Sequence, residues 1–288
     1  MDHFYNKSNA VESLDRIIAE RVAIASSLQM YSMDSGTTEK YSLSISREDG
    51  DVASRLTQRN EEMGEMEEAT VALQGIVSYI NLPPFESNRS DGLKRLVHIR
   101  QTVTLMGLGS THFQQIVNNC RCSYSMFSWY TPNAKLLPAP EFIGKYSEGR
   151  DNAEHVTITA SNRFFTPVQQ SAGLEVVDVN GELDPQGILA KVDTTKFLHT
   201  EDNAVGYYVL STSGGGSKSL PTTPIVFQIG DIVEVQVSMT CIPNKGNFTV
   251  KMLLRSIMLL NGKFTTDATT ARTLSIPAAI AVALLLPK

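Results

Sequence analysis

Residues 232–260 constrain the chain more than any other segment. Ile232 to Ile242 alternates side chains in period two, PNKGNF interrupts it, and Thr249 to Leu260 resumes the alternation. Two such runs around a short polar loop predict a long β-hairpin. Setting Ile242 opposite Thr249 puts Val237 opposite Leu254 and Val235 opposite Ser256. One face then carries Val233, Val235, Val237, Met239 and Cys241 against Val250, Met252, Leu254, Ser256 and Met258. On the other, Gln236 faces Arg255 with Glu234 diagonal to it, while Leu253, Ile257 and Leu259 make that face only partly polar. Long twisted hairpins of this kind close small barrels of the oligonucleotide/oligosaccharide-binding (OB) type and also serve in sandwiches. The barrel is the preferred reading.

Upstream, HVTITA, LEVVDV, ILAKV and VGYYVLS read as short strands, with Asn180-Gly181, Gly230-Asp231 and Asn261-Gly262 as turns. The N-terminal part has a different period. Val11, Leu14, Ile17, Ile18, Val22, Ala25 and Leu28 predict a helix with Ser8 or Asn9 as cap. Val52, Leu56, Met63, Met66, Thr70, Leu73, Val77 and Ile80 follow a heptad spacing, broken only at Arg59 and ended by Pro83-Pro84. The pair is expected to form a helical hairpin over residues 8–82, its seam serving either intramolecular packing or a homo-oligomer. Five glutamates between Glu61 and Glu68 read as a solvated face. A further helical segment is expected over 90–119, capped by Ser90-Asp91, before Pro132, Pro138 and Pro140 break the chain. The expected class is therefore α+β: a helical region 1–131, a β-rich barrel or sandwich 132–265, and a tail 266–288.

The tail carries an apolar run from Ile276 to Leu286 that contains Pro277 and is shorter than the roughly 20 residues a membrane-spanning helix needs. It reads as a buried terminal element, a docking peptide or an exposed tail. Hydrophobic residues at 42% supply enough material for a core. The net charge of -5 argues against wholesale attraction to nucleic acid, but the average conceals blocks. Residues 89–150 hold 8 Lys and Arg against 3 Asp and Glu, and residues 211–288 hold 7 against 3. A basic groove can be assembled from those two blocks. Cys120, Cys122 and Cys241 cannot all pair within one molecule, and the N-terminus lacks a signal-peptide pattern. A reducing, intracellular setting, cytoplasm or nucleus, is expected.

Several motifs invite chemistry and have plainer readings. STSGGGSKS (211–219) lacks the glycine spacing and following helix of a phosphate-binding loop, so a hairpin loop is expected. Cys120, Cys122, His98 and His112 do not match a zinc-site spacing. His199, Glu201 and Asp202 have no identifiable nucleophile and suit a turn or cap with Thr200 and Asn203. Asp231, Glu234 and Gln236, with Lys251 across the hairpin, only loosely suggest a magnesium-binding strand. Trp129 reads as a core or interface anchor. No catalytic residue, metal site or cofactor is called for. Binding of a nucleic-acid strand is the chemistry the residue types allow, through Lys94, Arg95, Arg100, Arg121, Lys245, Lys251 and Arg255 on phosphates and Tyr207, Tyr208 and Phe248 on bases.

The segments CSYSMFSWYTP, HTEDNAVGYY, FQIGDIVEVQVS and KMLLRSIMLLNGKF resemble an uncharacterised family encoded in the genomes of mushroom-forming fungi, over roughly residues 110–265. That resemblance implies multi-copy genes associated with mobile elements and supplies no activity, cofactor or site residue. The functional expectation is a non-enzymatic binding or assembly protein. The alternatives are a single-strand nucleic-acid-binding module of a mobile element, and a coat or structural subunit.

Overall fold

Helix α1 (Lys7–Ile24) opens the chain, with Asn6 accepting the Asn9 amide at 3.1 Å as its cap. Ala10, Ser13, Leu14, Ile17 and Ile18 form its buried side at helical spacing. The computed structural model describes residues 1–24, 27–33, 43–47, 53–60, 63–85, 97–130, 136–148, 153–211 and 217–275. After α1 come strands β1 (Leu28–Gln29), β2 (Ser44–Ser46), β3 (Ser54–Arg59), β4 (Met66–Glu68), β5 (Thr70–Asn81) and β6 (Arg100–Met106). Helix α2 (Thr111–Tyr130) follows, then β7 (Ile143–Glu148), β8 (Ala153–Arg163), the short β9 (Thr166–Pro167) and β10 (Phe197–Leu198), β11 (Gly206–Ser211) and β12 (Lys218–Pro221). The hairpin β13 (Ile232–Asn244) and β14 (Asn247–Asn261) leads into α3 (Lys263–Ser275).

The expected helical hairpin over 8–82 is therefore corrected: among the described residues of that span α1 is the one α-helix, followed by a 3₁₀ turn at Met30–Ser32, and the described part of the heptad-like segment is largely strand. Residues 71–78 of β5 are buried without interruption, because the strand is covered on both faces. A strand of that kind shows no alternation, so its apolar spacing can fit a heptad by coincidence. Its β-branched residues, Thr70, Val71, Ile76, Val77 and Ile80, favour the extended form. Gly75 within it allows close packing, since a Cβ there would lie 2.9 Å from both Leu105 Cβ and Phe113 Cε2. With the seam gone, so is the expected basis for a homo-oligomer.

The expected helix over 90–119 is likewise corrected: residues 100–106 are strand, and the helix runs from Thr111 to Tyr130. Ser110 caps it through the Phe113 amide at 2.9 Å. Residues 86–96, with Lys94 and Arg95, lie outside the described residues, as does the apolar run after Ser275. Among the described residues no helix is long and apolar enough to cross a membrane.

One sheet runs in the order β12-β11-β14-β13-β5-β6-β8-β7, with β1 to β4 added beside β5 and β13. Because β5 and β6 pair with β13 and β8, the sheet draws strands from both sides of the expected boundary at residue 131. It curls: Asn162 on β8 donates to the Leu254 carbonyl on β14 at 3.3 Å, although three strands stand between them in the order. The core fills the inside of this curl and the space under α1 and α2, with Leu14, Ile18, Leu73, Ile116, Phe127, Val237 and Leu254 all fully buried.

The β13–β14 hairpin keeps the predicted pairs Ile242 with Thr249 and Val237 with Leu254. Beyond them the register shifts, so Gln236 pairs with Ser256 and Val235 with Ile257. The predicted pairs Val235 with Ser256 and Gln236 with Arg255 are thus corrected by a β-bulge whose extra residue is Arg255. Two other predicted strands are shortened or replaced: LEVVDV is irregular apart from an isolated antiparallel bridge of Val176 with Thr200, ILAKV contains a 3₁₀ segment (Leu189–Lys191), and Asn180-Gly181 turns without a hairpin.

Candidate functional site

The Arg255 bulge lies on the floor of a cleft of about 630 Å³ on the outer face of the hairpin. Thr240, Ile242 and Pro243 of β13 and Lys251, Leu253 and Arg255 of β14 form the floor, and Ala53 and Arg55 extend it, as β3 pairs with β13. Arg100, Asn162 and Arg163, from the paired ends of β6 and β8, form a wall with Gln169, Gln170 and Asp202. The sheet's curl brings this wall to the hairpin. Five cations thus line the cleft, against one lining carboxylate.

These cations are not equivalent. A bulge turns its extra side chain out of the regular alternation, and Arg255 uses that freedom to bind three partners. Its Nη2 lies 2.6 Å from Glu68 Oε1, its Nη1 2.7 Å from Asp202 Oδ1, and its Nε donates to Ser238 Oγ at 2.8 Å. Burial opposes its charge, but Glu68 and Asp202 outweigh that and raise its pKa above the ordinary arginine value. Arg55 also reaches Glu68, at 3.7 Å, and Lys251 is paired with Glu141.

Arg100 and Arg163 stand directly opposite one another in the β6–β8 register. Their recorded partners are neutral: Arg100 Nε donates to Ser161 Oγ at 3.3 Å and Arg163 Nη1 to Gln170 Oε1 at 2.8 Å. Among the described residues neither forms a salt bridge. Burial, and then the charge of Arg163, lower the pKa of Arg100; burial lowers that of Arg163, with Asp202 nearby countering it. Like charges placed opposite each other in a sheet are unfavourable, and among the described residues this pair forms no salt bridge, with Asp202 the acidic group near Arg163.

Of the residues expected to bind a strand, Arg100, Lys251 and Arg255 meet in this cleft. Arg121 is exposed on α2, beside Asn118, and Lys245 is exposed at the hairpin turn; neither lines the cleft. Tyr207 is buried with its hydroxyl on Gln101, and Phe248 packs half-buried against the core, so neither offers a free ring face. Tyr208 lines a different pocket. Sequence reasoning missed Arg55, Asn162, Arg163, Gln169 and Gln170. The arginine ending HVTITASNR was visible, but placing it opposite Arg100 requires residues 100–106 to be strand.

The remaining motifs fall into structural roles. The expected diagonal pair of Glu234 with Arg255 is replaced by a bidentate pair with Arg21, at 2.7 and 2.8 Å, and Gln74 Nε2 donates to the same carboxylate at 2.7 Å. Asp231 accepts from Thr265 Oγ1 and from the Gln228 amide. His199 stacks on Phe164, its Nδ1 2.8 Å from the Phe164 carbonyl oxygen, and burial lowers its pKa. Thr200 and Asn203 form a capping box beside it. Cys120 faces the core and Cys122 is exposed. Trp129, expected as an anchor, is 84% exposed. Strands β11 and β12 pair antiparallel on either side of the glycine-rich run, of which residues 212–216 lie outside the described residues.

No protein-family model matches the chain, and no curated protein matches it. Among solved structures, the single-stranded DNA-binding protein gp2.5 encoded by bacteriophage T7 aligns at 12% identity over 67% of this chain and 86% of its own, with a TM-score of 0.34. The C-terminally truncated single-stranded DNA-binding protein from bacteriophage Enc34 aligns at 12% identity over 76% and 95%, with a TM-score of 0.36. The complex of the Enc34 protein with single-stranded DNA aligns at 11% over 76% and 95%, with a TM-score of 0.34. At these scores the likeness carries no argument about this chain, whose site rests on its own geometry.

Proposed function

We propose that this chain is a binding module for single-stranded nucleic acid, and that the cleft holds the strand's phosphodiester backbone. The opposed pair Arg100 and Arg163 is the observation that carries this reading. Two guanidiniums held opposite each other, with no salt bridge among the described residues, favour an anion from outside, and arginine's planar fork suits phosphate oxygens. The amides of Asn162, Gln169 and Gln170 add neutral polar groups beside the charge, and Ile242, Pro243 and Leu253 add apolar contact for sugars. A recessed channel between a curled sheet and its own hairpin suits one strand better than a duplex. In this reading the curled strands β14-β13-β5-β6-β8 work as a partly closed barrel of the OB type. The setting we propose is the handling of single strands exposed by a mobile element, in line with the fungal resemblance.

The test is a titration of labelled single- and double-stranded oligonucleotides, followed by fluorescence anisotropy at several salt concentrations. Single strands should bind more tightly, with log affinity falling linearly against log salt. Arg163→Ala should weaken binding to every sequence alike and lower the salt slope by about 1. Absence of binding at low salt, or an Arg163→Ala variant with the wild-type slope, would refute the reading.

A further inference from the structure

The polar face of β13 continues past the cleft. Thr240 and Ile242 line the cleft, Ser238 holds Arg255, and Gln236 and Glu234 line a second pocket of about 390 Å³. The bulge at Arg255 changes the parity of β14, so Ser256 and Met258 carry on the face that Lys251, Leu253 and Arg255 begin. From Ile242 to Glu234 this face of β13 spans roughly 26 Å of strand, at about 3.3 Å per residue, with Ser238, buried beneath Arg255, between the two pockets. That length accommodates several nucleotides.

The second pocket has a different chemistry. Its cation, Arg21, is satisfied by Glu234, which is 2% exposed, so the pocket presents little net charge to a phosphate. It has the aromatic wall that the cleft lacks: Tyr208 sits beside Met258 in the β11–β14 register. The ring lies over Gly206, where a Cβ would come within 2.6 Å of Tyr208 Cε2. Gln236 spends its carbonyl oxygen on Ser256 at 3.1 Å, leaving its amide protons for the pocket. An aromatic face with hydrogen-bond donors and no net charge is suited to a planar, uncharged, hydrogen-bonding ring.

We infer that the Arg21–Glu234 pocket receives a base of the strand whose phosphates occupy the cleft, with Tyr208 stacking on it and Gln236 donating to a base carbonyl or ring nitrogen. This rests on the strand-binding reading and adds to it a division of labour: charge at one end of this face, base contact at the other.

The experiment measures affinity of the full-length protein for a homothymidine strand and for an abasic strand of the same length. Tyr208→Ala should weaken the homothymidine strand about tenfold, the scale of losing one stacked base, and leave the abasic strand unchanged. Tyr208→Phe should keep most of the affinity. Gln236→Ala, which removes no ring from the fold, should show the same selectivity at smaller size, and thermal melts check that each variant is folded. An equal loss on both strands, or no loss on either, would overturn the base pocket while leaving the cleft intact. If the wild type binds neither strand at low salt, the strand-binding reading fails and the base pocket with it.

Discussion

Two groups of arginines serve the outer face of the hairpin, and the protein treats them in opposite ways. Arg21 and Arg255 are each bound to carboxylates, Glu234 for the first and Glu68 with Asp202 for the second. Arg100 and Arg163 face each other on adjacent strands and, among the described residues, donate to a serine hydroxyl and a glutamine carbonyl and form no salt bridge, with Asp202 near Arg163. At Arg255 the two carboxylates outweigh burial and raise the pKa, whereas burial, and at Arg100 then the charge of Arg163, lower those of Arg100 and Arg163. A charge placed to hold a fold together is completed within the fold. In the strand-binding reading proposed above, the charges offered to the ligand are those that form no salt bridge among the described residues.

Breaking the most buried pair should have the largest effect on stability. Glu234→Ala leaves the Arg21 guanidinium, only 15% exposed, without its counter-charge and the Gln74 amide without an acceptor. Removing one partner of a buried pair costs about 3 kcal/mol, measurable by urea unfolding. The double replacement of Arg21→Met with Glu234→Leu should recover most of that loss, because it removes both charges together. A single variant that costs under about 1 kcal/mol would show that the pair is not structural. Arg255→Ala should rank second, at about 2 kcal/mol. Its side chain is 18% exposed, but Glu68 and Asp202 retain 26% and 34% and can turn to water once it is gone. A midpoint shift as large as that of Glu234→Ala would contradict this order.

How much of this was legible in the sequence follows from burial geometry. The β13–β14 hairpin could be read because its core side alternates Val233, Val235 and Val237 with polar residues, and one anchored pair sets the rest. The bulge could not be read, since an extra residue in one strand leaves the apolar count intact and only the partners change. Strand β5 was illegible for the opposite reason, being covered on both faces with no alternation to detect. The site was half legible. Arg100, Lys251 and Arg255 were recognisable as basic residues in basic segments, but the cleft depends on the β6–β8 pairing. Misreading Arg100's segment as helix therefore concealed Arg163, and with it the opposed pair on which the strand-binding proposal rests.

The smallest expected effect on stability is the one that bears most on the contrast. Arg100→Ala removes a charge that faces a like charge in the register and forms no salt bridge among the described residues, so stability should change by no more than about 0.5 kcal/mol and rise rather than fall. Arg163→Ala should behave the same way. Because either substitution relieves the same repulsion, the gains should not add: the double variant should be no more stable than the better single one. The same double variant should lose affinity for single strands further than either single, since each guanidinium would meet its own phosphate. Stability and binding would then move in opposite directions at these two residues, whereas at Glu234 and Arg255 the main loss is stability. A cost above about 1 kcal/mol for Arg100→Ala alone would mean that the pair is held for the fold, and the distinction between the two groups of arginines would fall.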